Sequence, residues 1–424
     1  MPPSLPTRRA AVRPLGALAA AVLLTVIAAP AATAAGGATS TAPATKLPAG
    51  LFGTADPTYD GVFRQSTALL ALSAAGVTPA TAAVNWLTGQ QCADGGFGAF
   101  RASTAKPCAR GGEDTNSTAM AVQALSSFGG DPRTVTKAVG WLKSAQNKDG
   151  GWGYQAGAGS DPDSTAVVAG ALQAAGVNPD SLVKAGQGPL QSLLKLQLGC
   201  GAKAAQRGAF AYQPDKNGKL AANDKATTDG ILALHDEGYL VRKPAADSRP
   251  KAMSCPSAAA GRPGDANSAA SAAAAYLAAD LAGNGDHLVA ARPGAAKPAA
   301  DPGTTAYAVI ALAGDGQLTD ARAAYRWLES DGTAWAASSP AALGALVLAA
   351  HAVGANPHLF GSADLVSLLS RLGPANSSGT TKATVNVPDH RSSSSLTVWW
   401  IIGVCLLAGI GVGIAMSTRN KKRA

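Results

Sequence analysis

Charged and aromatic residues are both scarce in this chain of 424 residues: Asp, Glu, Lys and Arg make up 14% of it, and Phe, Trp and Tyr 5%. The formal net charge is +9, but seven of the 35 basic residues flank apolar runs at the two ends. The other 28 nearly balance the 26 acidic residues. A nucleic-acid-binding body needs a dense basic field, so we expect no nucleic-acid partner. Low charge and abundant Ala favour packed helices over a disordered chain.

Several motifs of catalysis and metal binding are missing as well. The sequence has no Cys-x-x-Cys pair, no Gly-x-Ser-x-Gly turn and no glycine loop of the phosphate-binding kind. Its five His residues are scattered without a fixed ligand spacing. No cluster of Cys and His indicates zinc, so we predict no metal site.

The two ends of the chain are predicted to be targeting segments. Residues 1–34 form a secretory signal, with a basic start, an apolar stretch over 15–29 and small residues at 32–34. Residues 396–416 contain no charge and are enough to cross the hydrocarbon core as one helix. The basic tail, 417–424, predicts an extracellular body and a cytoplasmic C-terminus. No Leu-Pro-x-Thr-Gly motif precedes the span, so membrane anchoring is favoured over wall attachment.

Export sets the expected state of the cysteines. Cys405 lies in the predicted span, and the other four face an oxidising exterior in which disulfides persist. Four cysteines allow three pairings. We favour Cys92–Cys108 and Cys200–Cys255, because each pair is nearest in sequence and closes one long loop. Unpaired buried thiols are the alternative.

A repeat fills residues 51–372, between flexible stalks at 35–50 and 373–395. Ser-Thr-Ala, or a looser copy, opens an apolar run that ends in Gly and usually Pro, which is typical of a helical hairpin. Six copies predict six hairpins, whose second helices cover 79–90, 134–146, 181–197, 267–283, 319–329 and 362–372.

The two helices of each hairpin differ in polarity. The first is almost wholly apolar, which predicts burial on all sides, whereas the second carries more charge. An inner ring of first helices inside an outer ring of second helices explains both. An open solenoid has the same local pattern and stays an alternative.

A second motif narrows the choice of fold. Two second helices end in Gln-x3-Gly-x-aromatic, from Gln91 to Phe97 and from Gln146 to Trp152, with a weaker copy at Gln197 and Phe210. These residues resemble the QW motifs of squalene and terpenoid cyclases and the related prenyltransferase and squalene-oxidase repeats. The resemblance covers 51–372 and implies an all-α fold, the (α/α)6 toroid, but says much less about activity.

The sharpest catalytic candidate is Asp161-Pro-Asp163-Ser164. Class II terpene cyclases protonate their substrate with the middle Asp of an Asp-x-Asp-Asp motif, so the resemblance implies Asp163 as the acid with Asp161 beside it. Ser164 departs from that pattern. Helix capping is the favoured alternative, because Asn116 and Gly303 occupy the position of Asp163 in other copies. We therefore assign no catalytic residue.

Loop lengths predict the ligand side. Connections after the second helices are long, at 92–115, 147–162, 198–225 and 284–303, whereas those within a hairpin are short. In a closed ring all the long loops emerge at one end, beside any cavity. The candidate ligand-binding residues near them are Trp152, Tyr154, Asp163, Phe210, Tyr212 and Trp335, with packing as the alternative for the aromatic ones.

The favoured function is a membrane-anchored extracellular receptor without catalysis. The chain is similar to the secreted cobalamin carriers, transcobalamin and intrinsic factor, in export, hairpin number and paired Cys. That likeness implies cobalamin or another vitamin-like or hydrophobic small molecule as ligand, and a transporter as candidate partner. The carriers' β-rich domain has no counterpart after residue 372. The alternatives are a terpene-cyclase-like isomerase that uses Asp163 as acid, and a structural or protein-docking surface domain. No cofactor is required.

Overall fold

The computed structural model describes residues 48–244, 246–257, 261–291 and 297–375. Within these ranges the chain forms twelve α-helices, and the prediction of an all-α fold is confirmed. The helices are α1 (Gly61–Ala74), α2 (Thr81–Gly89), α3 (Thr115–Ser127), α4 (Pro132–Ala145), α5 (Pro162–Ala174), α6 (Pro189–Leu196), α7 (Asp224–Leu234), α8 (Ala266–Gly283), α9 (Pro302–Gly314), α10 (Leu318–Ala336), α11 (Pro340–Val353) and α12 (Leu365–Leu372). Two short strands, β1 (Val289–Ala290) and β2 (Ala299–Ala300), pair antiparallel between α8 and α9.

The six odd-numbered helices contact one another in a closed cycle. Each packs on the next odd-numbered helix, and α11 returns to pack on α1. Small side chains permit this closeness: a β-carbon on Gly344 of α11 would come within 2.9 Å of Thr67 Cγ2 in α1. Most residues of these helices are buried, as predicted for the apolar first helices.

The even-numbered helices lie against the odd-numbered ones. Each contacts the odd-numbered helix that precedes it in the chain. The buried residues of α4 recur at helical spacing, as expected for a helix with one apolar face and one polar face: Thr134, Ala138, Val139, Leu142 and Ala145. The difference in polarity between the two sets of helices therefore follows from their different exposure.

Two predicted features of the helix pairs are wrong. The helix predicted over 181–197 begins only at Pro189, because Ala185 and Gly186 both adopt positive φ and the residue before a proline is extended. The connection from α7 to α8, predicted to be short, is long. Its residues 236–242, which we call the crossing segment, run across the end of the cycle where odd-numbered helices terminate.

The crossing segment is held by α3 and α5. The backbone N–H of Tyr239 donates to Gln123 Oε1 in α3 at 3.1 Å. A β-carbon on Gly170 of α5 would lie 2.4 Å from Gly238 Cα, so the backbones meet where neither residue has a side chain. This segment therefore covers one end of the cycle.

In four copies of the repeat, a Thr at the helix start ties the helix to the loop before it, whereas Thr67 of the first copy donates within its own helix, to the Phe63 carbonyl. The Thr118 hydroxyl accepts the N–H of Phe97 at 2.9 Å and donates to the carbonyl of Asp114 at 2.7 Å. The same N–H to hydroxyl bond recurs in three further copies, from Trp152 to Thr165, from Phe210 to Thr227 and from Leu288 to Thr305. The repeat motif thus fixes the loops that enter α3, α5, α7 and α9.

The Gln of the Gln-x3-Gly motif joins neighbouring even-numbered elements. Its amide nitrogen donates once to the Gly of its own motif and once to a carbonyl of the next repeat. The bonds run from Gln91 to Gly95 (3.0 Å) and Thr134 (2.8 Å), from Gln146 to Gly150 and Leu182 (both 2.9 Å), and from Gln197 to Gly208 (3.0 Å) and Ala269 (2.9 Å). One side chain therefore shapes a turn and connects two repeats.

Both favoured disulfides are present, Cys92–Cys108 and Cys200–Cys255. Among the described residues, no helix is long and apolar enough to cross a membrane. The predicted signal peptide at 1–34, the span at 396–416 and the tail at 417–424 lie outside the described residues, as do most of the two stalks. Those assignments stay predictions.

We predict that Gln146→Leu lowers the free energy of unfolding by about 2 kcal/mol, because two buried carbonyls lose their donor. Urea unfolding measures the loss. Gln155→Leu, at an exposed position, is the matched control and should change stability by less than about 0.5 kcal/mol. Equal effects of the two substitutions would contradict the joining role of Gln146.

Candidate functional site

The N-termini of the odd-numbered helices meet at the end of the cycle opposite the crossing segment. Each even-numbered helix brings the chain back to the end at which the preceding odd-numbered helix began. All odd-numbered helices therefore run in the same direction. Five of them have a side-chain cap that accepts the N–H three residues on: Asp114 (2.6 Å), Asp161 (2.7 Å), Asn223 (2.8 Å), Asp301 (3.0 Å) and Ser339 (3.2 Å). These caps satisfy N–H groups that have no partner within a helix.

The cap of α5 is Asp161, and not Asp163 as the capping interpretation assigned. Asp161 Oδ1 accepts from the Ser164 N–H, and its Oδ2 accepts from the Ser164 hydroxyl at 3.0 Å. Asp163 lies two residues later, inside the first turn. Its Oδ1 is buried and has no hydrogen-bond partner among the described residues. The carboxyl group of Asp163 is therefore free of the structural role that occupies Asp161.

A half-buried lysine lies near Asp163 on the next odd-numbered helix. Lys225 of α7 forms an ion pair with Asp229 one turn along. Its Nζ lies 3.4 Å from the Tyr239 hydroxyl and 5.0 Å from the centre of the Tyr307 ring. Asp229 is 0% exposed, but 32% of the Lys225 side chain remains accessible. This ammonium group is enclosed by a carboxylate and two aromatic rings, with one side open.

We call the site lined by Asp163, Lys225, Tyr154, Tyr212 and Tyr307 the recess. All five residues are buried only in part. The carboxyl group of Asp163 and the ammonium of Lys225 are close enough to shift each other's pKa. Tyr212 interacts through its hydroxyl with Asp161 and is also close to Tyr154. Carboxylates, an ammonium and phenols thus share one accessible site at the N-terminal end of the cycle.

Burial controls the protonation of the recess. It raises the pKa of Asp161 to about 8, and the charge of Asp163 adds to that shift while the bonds from Ser164 oppose it. Burial also raises the pKa of Asp163, with Lys225 acting in the opposite direction. The pKa of Asp229 is raised to about 7 by burial, against the attraction of Lys225. Burial disfavours the charge on Lys225, but Asp229 and the other acidic neighbours hold its pKa well above the usual value.

The predicted ligand-binding aromatics divide into two groups. Trp152 and Phe210 are fully buried, and the Trp152 indole N–H donates to the Leu142 carbonyl at 2.7 Å. Both rings pack at helix joints, which is the alternative role that the sequence left open for the aromatic residues. Tyr154 and Tyr212 line the recess together with Asp163. Trp335 is half-buried near the start of α9, next to Gly303.

Four residues of this region were missing from the sequence prediction. Lys225 and Asp229 could have been singled out from the sequence, because a charged pair four residues apart is unusual in an otherwise apolar first helix. Tyr307 lies in an apolar run that predicted only packing. Tyr239 belongs to a connection expected to be short, so nothing placed it beside α7.

Tyr239 also fills the interior between the two ends of the cycle. Its backbone is bound to α3, while its hydroxyl lies 3.4 Å from Asp229 Oδ1 in α7. Beyond it, at the C-terminal end, a cavity of about 270 Å³ is bounded by α1, α3, α5 and the crossing segment. The recess and this cavity are therefore separate sites.

Comparisons with known proteins add little to this geometry. No protein-family model matches the chain, and no curated protein matches it. Among solved structures it is similar to a protein from Actinoplanes, with 18% identity and a TM-score of 0.40, over 72% of this chain and 90% of that chain. The resemblance to the cyclase and prenyltransferase repeats stays a prediction.

We predict that the free energy of unfolding falls as pH rises from about 4 to about 8, because the folded chain keeps protons on Asp161 that the unfolded chain has lost. Asp161→Asn retains a good cap and should flatten this slope. Thermal unfolding across the pH range measures it.

The matched control for this prediction is Asp265→Asn. Asp265 caps α8 in the same way, but its hydrogen bonds with Ser268 lower its pKa. Its contribution to stability is therefore lost only at more acidic pH, and the variant should keep the wild-type slope. Identical slopes for wild type and Asp161→Asn would contradict the raised pKa of Asp161.

Proposed function

We propose that the chain is a non-catalytic receptor that binds a small molecule at the cell surface and is built as an (α/α)6 toroid. The closed cycle of six odd-numbered helices, each paired with an even-numbered one, supports the toroid. Two disulfides fit an oxidising exterior. The predicted signal peptide and single span supply the anchor, with the body outside the membrane and the tail in the cytoplasm.

The recess is the proposed binding site, and the unpartnered carboxyl group of Asp163 carries this assignment. Buried polar atoms in native proteins normally have partners. Asp163 Oδ1 has none among the described residues, although Lys225, Tyr212 and Tyr239 lie near it. A bound molecule would supply the missing contact. Cobalamin stays the first ligand to test, and the polar lining favours a vitamin-like ligand over a purely hydrophobic one.

A second candidate function is a terpene-cyclase-like isomerase with Asp163 as the acid. Burial raises the pKa of Asp163, which favours a group able to donate a proton. Against this role, Lys225 stabilises the ionised form of the same carboxyl group. In addition, Ser164 stands where the cyclase motif has its last acid, and its hydroxyl is bound to Asp161. Binding without catalysis therefore fits the recess better.

The test of the receptor uses the purified full chain. We predict that it retains a small molecule from the cells that produce it, or binds added cobalamin with a change in Trp fluorescence or corrinoid absorbance. Mass spectrometry of denatured extracts identifies a retained compound. Asp163→Asn should lower the bound amount about tenfold. Asp331→Asn, an exposed aspartate on α10, is the matched control and should not. No compound in any extract, together with no response to cobalamin, would rule out the receptor.

If the chain were an isomerase, a different experiment would give a positive result. Incubation with squalene or a prenyl diphosphate would give a cyclised product with wild type and Asp331→Asn, and none with Asp163→Asn. We expect no product from any of the three proteins. A product lost only in Asp163→Asn would replace the receptor with the enzyme.

A further inference from the structure

We propose that the ligand enters the recess with a positively charged organic amine, for which Asp163 is the counter-ion and Tyr154 and Tyr212 form the walls. This inference rests on the proposed function, because it names the chemical class of the ligand for the same site. Cobalamin is the ligand implied by resemblance alone, whereas the amine is argued from the side chains of the recess.

Acidic groups outnumber cations around the recess. The carboxyl groups of Asp163 and Asp229 both lie near the single ammonium group of Lys225, whereas Asp161, whose pKa is raised to about 8, adds no charge at neutral pH. Lys225 is the neighbouring cation, and its ammonium group is already paired with Asp229. A carboxylate removed from water without a partner is costly, so a second positive charge would stabilise this site.

Unpartnered acceptors show where that charge would lie. Asp161 is committed to the first turn of α5 through both oxygens. Asp163 Oδ1 and Asn116 Oδ1 are both buried, and neither has a hydrogen-bond partner among the described residues. They occupy the same position on neighbouring helices, α5 and α3, two residues after the cap. A cation beside Asp163 would stabilise this unpartnered carboxyl group, whether or not the cation carries an N–H.

Lys225 provides an example of the same chemistry within the chain. Its ammonium group is held by the Asp229 carboxylate and lies 5.0 Å and 5.8 Å from the centres of the Tyr307 and Tyr239 rings. Ring faces attract cations at these distances. Across the recess, Tyr212 lies close to Asp161 and Asp163, and Tyr154 lies close to Tyr212 and Asp114. Lys225 is near enough to Asp163 to shift its pKa, but the ion pair that Lys225 forms is with Asp229.

An organic amine fits these residues better than an inorganic ion. Calcium takes six to eight oxygen ligands and magnesium six. With Asp161 bound to Ser164 and Asp229 to Lys225, Asp163 alone offers too few free oxygens for either ion. Partly exposed tyrosines suit an alkylated ammonium group, which gains from contact with ring faces.

Choline and its neutral isostere, in which carbon replaces the nitrogen, test the inference. Isothermal titration of the full chain should show choline binding about tenfold more tightly than the isostere. Asp163→Asn should weaken choline binding by a similar factor, whereas Asp331→Asn should not. Asp163→Glu keeps the negative charge and should bind choline more tightly than Asp163→Asn, which separates the loss of the charge from a simple loss of folding.

Three outcomes would overturn the inference. They are equal affinity for choline and the isostere, a response to calcium or potassium with none to choline, and no choline binding at millimolar concentration. If wild type still retains a neutral or anionic compound that Asp163→Asn loses, the receptor function stands without the amine. Absence of every bound molecule contradicts both proposals.

Discussion

The N–H groups in the first turns of the odd-numbered helices set the main constraint on this molecule. Six helices run in the same direction, so their unpaired donors collect at one end and need acceptors. Asp114, Asp161, Asn223, Asp301 and Ser339 meet that need from the loops. Once the caps are filled, the residue two positions later is free for another role. At that position α3, α5 and α7 carry Asn116, Asp163 and Lys225, and the candidate site is made there.

The two ends of the cycle differ because the loops differ. The loops that enter the odd-numbered helices are tied back by Thr hydroxyls and by buried rings such as Trp152 and Phe210. These loops surround the N-terminal end and leave the recess accessible. At the C-terminal end the crossing segment lies on α3 and α5, and Tyr239 fills the interior. The recess is therefore accessible at the N-terminal end only, and the crossing segment separates it from the cavity at the other end.

The fold could be predicted from the sequence because the helical hairpin repeats along the chain. Gly and Pro punctuation located the helix pairs, because those residues act through local backbone geometry. The helix at 181–197 was wrong in its first half, since Ala185 adopts positive φ without a sequence signal. The site was harder to predict from the sequence, because it depends on which side chains from different helices lie close together. Asp163 stood out within its motif, but its separation from the cap of Asp161 became clear only from the hydrogen bonds.

A density map of the purified full chain, obtained without added ligand, tests most directly whether Asp163 and Lys225 share an accessible recess at the N-terminal end of a closed ring. The account predicts α11 packed on α1, Tyr239 inside the ring, and density for a bound molecule against the Asp163 carboxyl group. A gap between α1 and α11, or Asp163 paired with a protein cation and sealed from solvent, would contradict it.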